Sequence, residues 1–257
     1  MLNYMKSEYY RISRGKGLYV TIAILTGAVI LMNIVLALGQ RYIPDFRYGT
    51  VRFSLNTYTS MIYCIVVMGA VISGCLFIDD RRNGVLKNIV SYGISREKIL
   101  IGKCIVAFGF AFLIMCAVLA VYVGSAYLLL ENWEWLPLRE LLMGTAASLP
   151  SAAASLIFMM TLGLLYQKEM TAVLWWAVVY YLVPMVCFLI GLKFDLFAGI
   201  ASWMPYNFLR TEAIVTYNEY HCLWDTPSGL SRCILSGVAG IVLFLVFGIW
   251  SFRKQEL

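Results

Sequence analysis

Charged side chains divide the chain into six long apolar stretches. Residues 17–40, 53–78, 104–130, 141–167, 170–192 and 233–252 contain no Asp, Glu, Lys or Arg. Each reaches the roughly 20 residues a helix needs to cross a ~30 Å hydrocarbon core. The pattern predicts an all-α polytopic membrane protein, a single domain over 1–257 with spans at about 18–38, 55–78, 104–129, 141–166, 170–192 and 233–252. A seventh uncharged stretch, 196–209, is shorter and carries Pro205. It predicts a re-entrant or interfacial segment before the last span.

Ahead of the first span, Leu2, Met5, Tyr9 and Ile12 recur at helical steps, with Lys6 and Arg11 elsewhere around the helix. This predicts an interfacial elbow helix over 1–16 lying against lipid headgroups. The basic residues and Ala37-Leu38-Gly39 imitate a secretory leader. The apolar run from Leu18 to Leu38 nevertheless exceeds the roughly 7–15 residues of a leader's apolar region, and predicts a retained anchor.

Composition agrees: 61% of residues are hydrophobic and 13% charged, too apolar for a soluble domain. The formal net charge is +6. With the N-terminus inside, the cytoplasmic segments hold 13 Lys and Arg and the outer loops 7. The positive-inside rule then places both termini and the 79–103 loop in the cytoplasm, and 193–232 outside. Trp133, Trp135 and Trp250 fall at interfacial levels. The charge is therefore a topology bias, and no basic–aromatic surface for nucleic acid appears.

Chemistry is scarce. The cytoplasmic segments leave no room for a nucleotide-binding domain, and Gly102-Lys103-Cys104 lacks the leading glycine and the following Ser/Thr of a phosphate loop. No Asp, Glu, His or Lys lies within the spans, where a proton relay or intramembrane metal site would need one. Backbone carbonyls can still bind Na⁺, which keeps a carrier in view. The sole histidine, His221, belongs to an outer loop. Cys64, Cys75, Cys104, Cys116 and Cys187 lie in or beside spans as small packing residues. Cys222 and Cys233 lie on or near the outer side, where they either pair or remain thiols. The expectation is no catalytic, cofactor-binding or metal-binding residue, and hence no enzyme.

The loop over 79–103 stands apart. Val85, Leu86, Ile89 and Val90 share a helical face, Gly93 can end that helix, and Ser95 suits an N-cap. Such an element either docks a partner or skims the membrane surface. Asp80, Gly84, Leu86, Ser91, Gly93, Ser95-Arg96, Ile99-Leu100 and Gly102-Lys103 resemble the second-loop signature of type-two ABC transporter permeases. Asp80 stands where that family usually has Glu, Val85 where it has Thr, and Gly93 where it has Pro. The interfacial helix, six spans and large outer loop before the last span resemble the same family.

The resemblance implies a permease dimer, of two copies or of this chain with a sister subunit, served by two separate ATPase subunits that bind the ATP and Mg. It implies that Asp79, Asp80, Gly84, Leu86, Lys87, Ser95, Arg96 and Lys103 form the ATPase-coupling element. With no charged intramembrane pocket, the expected substrate is hydrophobic or amphipathic. Within the family, chains of this shape suggest export of a peptide toxin or antimicrobial peptide across a bacterial plasma membrane. The rival expectations are a stand-alone channel or secondary carrier, and a non-transporting immunity or signalling protein. Trp175, Trp176, Tyr180, Tyr181 and Phe188 are candidates for a substrate path or for packing. Pro150 and Pro184 are expected helix kinks. Gly144, Ser148 and Ala152, with Ser236 and Gly240, have the small-residue spacing of close helix contacts.

Overall fold

The computed structural model describes residues 2–77, 89–91, 94–166, 168–211, 214–215 and 220–254. Helix α1 spans Leu2–Arg14 and α2 Lys16–Tyr42; α3 spans Val51–Ser60, α4 Cys64–Phe77, α5 Arg96–Leu129 and α6 Trp135–Leu165. Then come α7 (Glu169–Ala177), a π-helical turn (Val178–Leu182), α8 (Val183–Gly191), α9 (Asp195–Ser202), α10 (Pro205–Thr211) and α11 (Pro227–Lys254). A two-residue antiparallel pairing, Ile214–Val215 with Tyr220–His221, lies between α10 and α11.

Five helical segments are long and apolar enough to cross a membrane, and α3 with α4 form a bent pair that makes a sixth where the two cross as one span. The single span expected over 55–78 is therefore broken, with a 72° bend around residues 61–63. The cause is local. Thr57 and Thr59 turn their hydroxyls back to the carbonyls of Phe53 and Leu55, which weakens and bends the α-helical ladder. The Met61 N–H is shared among the carbonyls of Thr57, Tyr58 and Thr59. α3 is also the polar half of the stretch, with Arg52, Ser54, Asn56, Thr57 and Thr59 in ten residues.

α6 is the axis of the bundle. Its most apolar window is 83% buried at a mean hydropathy of 1.7, whereas the corresponding window of α5 is 33% buried at 2.8. For this pair burial and hydropathy run in opposite order, because lipid is as apolar as leucine while close helix contact requires small side chains. A Cβ on Gly237 of α11 would lie 2.4 Å from the Pro150 ring, and one on Gly69 of α4 would lie 2.4 Å from the Ala152 carbonyl oxygen. α4 and α11 thus reach the α6 backbone on two sides. Gly240 meets Ala154 as the small-residue spacing suggested, but Ser236 faces away and bonds the Trp203 carbonyl. Pro150 lies within an uninterrupted α6.

Polar groups also hold the spans together. Asn33 of α2 is fully buried, donates to the Tyr122 carbonyl and Ser125 hydroxyl of α5, and accepts from the Ser54 hydroxyl of α3. In hydrocarbon each of these groups needs a protein partner, so the network ties three helices.

Residues 196–209 form a short helical hairpin, α9 and α10, as their length required. Asn207 fastens it by donating to the Pro184 and Ala201 carbonyls. Before α11, Trp224 is buried beside Gly144 and donates to Glu140 Oε2 at 3.2 Å. Cys222 and Cys233 are buried thiols, not a disulfide. Burial, with help from the carboxylates of Glu140 and Asp225, pushes the Cys222 thiol up to about 12. It therefore stays protonated and unreactive at neutral pH. One donor atom each from Glu140, Cys222 and exposed Asp225 lies within a 4.8 Å cluster, in which the Glu140 carboxylate is already bonded by Trp224.

Candidate functional site at the basic end of the bundle

The first turns of α5 gather the two chain ends. Ser95 has the extended backbone of an N-cap, φ −63° and ψ 143°, as its position suggested, without a side-chain capping bond. Arg96 Nη1 then donates to the carbonyls of Phe252 and Arg253 at 3.2 and 3.1 Å. These carbonyls close the last turn of α11, where a helix leaves acceptors without internal donors and carries partial negative charge. Glu97 pairs with Arg253 across the same gap.

Two turns further along α5, Lys103 is fully buried and its Nζ lies 2.8 Å from Glu8 Oε1. Glu8 is 3% exposed and also accepts from the Tyr4 hydroxyl (2.8 Å) and from Arg11 (2.7 Å). Burial alone would raise the Glu8 carboxyl. Lys103, Arg11 and the Tyr4 hydroxyl outweigh it and hold the group below its ordinary value.

This pair defines the protein-facing side of α1, which the apolar spacing did not reveal. Tyr4, Glu8 and Ile12 face the protein, while Leu2 and Tyr9 are exposed. Tyr9 still stacks on Phe110 at 5.1 Å. A carboxylate at the centre of the contact face is invisible to a reading based on apolar spacing, because its partner is about 95 residues away. The nearest signal was Lys103 itself, the last charge before span three.

Of the eight residues assigned to coupling, Asp79, Asp80, Gly84, Leu86 and Lys87 lie outside the described residues. Ser95, Arg96 and Lys103 are brought to one end of the bundle. Arg96 is engaged with α11 and Lys103 with α1, so both join the loop to other elements, and Lys103 offers no surface to a partner. The described part of the upstream helix, Ile89–Ser91, is helical, and Ile89, Val90 and Ile94 pack on the apolar cluster that includes Ile99 and Phe252.

The aromatic candidates divide. Trp176 and Tyr180 are buried and stacked at 5.2 Å, with Trp176 Nε1 donating to Ser155 of α6 at 3.0 Å. Tyr181 meets Tyr63 and Tyr206 edge-on. Trp175 and Phe188 point away from the bundle and are about half exposed. Pro184 sits just past the π-helical turn. It lacks the N–H that would reach the Tyr180 carbonyl in an α-helix. The Tyr63 hydroxyl donates to that oxygen at 2.8 Å, so the backbone group at the break is satisfied from α4's N-terminal edge.

The N-terminal turns of α5 thus join α1 and α11 through Lys103 and Arg96. The chain matches the family model of the ABC-2 family transporter protein over residues 4–184 and belongs to that family. Comparison with curated proteins gives no match. The chain is therefore a membrane permease subunit of an ABC transporter, of a family that works with an ABC ATPase subunit.

Proposed function

We propose that this chain is the permease of an exporter that moves a hydrophobic or amphipathic substrate, an amphipathic peptide toxin or antimicrobial peptide in the first instance, out of a bacterial cell. The positive-inside bias puts the α1, Arg96 and Arg253 end in the cytoplasm. Separate ATPase subunits bind ATP and Mg there and act on the 79–103 loop. The permease works as a dimer, with a second copy or a sister subunit. Trp175 and Phe188, exposed on the α7–α8 face, are its contribution to a path formed between the two subunits.

The observation that carries this reading is the double attachment of the loop's C-terminal end, through Arg96 to α11 and through Lys103 to α1. A force applied to the loop would reach the first and last helices together. The test is co-purification with an ABC ATPase and measurement of substrate-stimulated ATP hydrolysis in liposomes. Asp80→Lys combined with Arg96→Glu should abolish coupled hydrolysis. Full transport by the double variant, or by this chain without an ATPase, would overturn the proposal.

A further inference from the structure

At the end opposite the termini, the bend in the second span leaves a cavity. α3 presents Val51, Leu55 and Ser54 to Tyr122 and Ala126 of α5. Arg52, Phe53 and Asn56 line a cavity of about 730 Å³ beneath the loop that joins α2 to α3. The volume falls within the roughly 300–1,000 Å³ of small-molecule sites.

The walls are fixed. Val51 N–H donates to the Glu131 carbonyl at 3.0 Å and Glu131 N–H to the Gly49 carbonyl at 3.3 Å, stitching the α2–α3 loop to the α5–α6 loop. A Cβ on Gly49 would lie 2.6 Å from the Gln40 Cβ, so glycine lets the loop approach α2 this closely.

The lining combines guanidinium charge with an aromatic shelf. Arg47 and Arg52 contribute the charge, and Arg52 is steered by Glu134 at 3.5 Å. Phe46, Tyr48 and Phe53 form one run of ring contacts at 5.4 and 4.8 Å. Trp133 and Trp135, both largely exposed, follow directly on the cavity residue Asn132. Exposed tryptophans of that kind mark the headgroup level of a bilayer.

We propose that this cavity binds a phosphate group carried on an amphiphile at the headgroup level. Arg47 and Arg52 take the phosphate oxygens, and the aromatic shelf takes the adjoining apolar part. Planar guanidinium forks suit phosphate oxygens better than point charges do. Glu131 at the rim disfavours a ligand of high negative charge and suits a phosphodiester. The site is independent of the peptide-export reading, since it depends only on the α2–α3 and α5–α6 loops.

The test uses the full purified chain in neutral detergent and native mass spectrometry with dioleoylphosphatidylglycerol, dioleoylglycerol and inorganic phosphate. Dioleoylphosphatidylglycerol should bind at least tenfold more tightly than dioleoylglycerol, and Arg47→Gln and Arg52→Gln should each weaken it about tenfold. Arg47→Gln leaves the Arg52–Glu134 pair intact, so its effect does not depend on refolding α3. Displacement of the lipid by millimolar inorganic phosphate would identify free phosphate as an equal occupant, and failure to displace it would identify the lipid headgroup. Equal binding of the two lipids, or undiminished binding by Arg47→Gln, would overturn the proposal.

Discussion

Lys103 Nζ and Glu8 Oε1 stand 2.8 Å apart with neither side chain open to solvent, joining the elbow helix to the third span. Glu8 and Lys103 balance as a pair, and Arg11 adds one positive charge that lies partly in solvent. Arg11 and the Tyr4 hydroxyl complete the carboxylate's bonding, and Arg11 is partly exposed. The pair sits where the loop assigned to coupling enters the membrane.

Removing one partner should be far worse than removing both. Lys103→Met leaves a buried carboxylate with only Arg11 for charge, and the expected loss is about 3–5 kcal/mol. Glu8→Leu with Lys103→Met should recover most of it, because Arg11 can turn to water. Thermal unfolding in detergent checks the order of the three variants.

The same pair predicts a pH profile for α1 docking. The Glu8 carboxyl is lowered in the folded protein, so its contribution is fully present above the ordinary carboxylate value of about 4.3 and is lost as pH falls through the lower, folded value. Hydrogen exchange over Tyr4–Ile12 should be flat between neutral pH and about pH 5 after correction for intrinsic rates. Protection should fall only at more acid pH, and Glu8→Gln should abolish the step.

Gly237 lies against the Pro150 ring and backbone of α6, whereas a Cβ on Gly27 of α2 would meet nothing within 4 Å. Gly237→Leu should destabilise the bundle by about 1–3 kcal/mol or more through forced separation of α11 from α6. Gly27→Leu should leave the unfolding temperature unchanged. Equal effects from the two would refute α6 as a tightly packed axis.

Tyr63→Phe should leave the Tyr180 carbonyl without its hydroxyl donor, at a cost of about 1–3 kcal/mol. Pro184→Ala restores an N–H at the position from which an α-helix would serve that carbonyl. A double-mutant cycle should therefore show Pro184→Ala costing less, or stabilising, in the Tyr63→Phe background. Additive costs would mean that the two groups do not share the oxygen.

The six apolar stretches, the elbow helix, the non-spanning hairpin over 196–209 and the N-cap at Ser95 were legible in the sequence. Each follows from hydrophobicity, length or spacing within a single segment. Asp79, Asp80, Gly84, Leu86 and Lys87, given a coupling role by resemblance alone, lie outside the described residues. What was not legible depends on partners far apart in the chain. Residue spacing gave α1 an apolar face for lipid, on which Leu2 and Tyr9 are exposed, but not the protein-facing side, where Glu8 meets Lys103. Hydropathy ranked α6 the least apolar of the five unbroken spans, yet helix contact makes it the most buried.

The sequence by itself determined that this is a helical membrane protein of six apolar stretches with a charged loop after the second, because transfer of apolar residues into lipid is set segment by segment. Tertiary structure alone decided that Arg96 and Lys103 join α5 to α11 and α1, and that a cavity opens behind α3. Between helices in lipid the hydrophobic effect no longer discriminates, so these outcomes rest on close packing and on which polar group finds which partner.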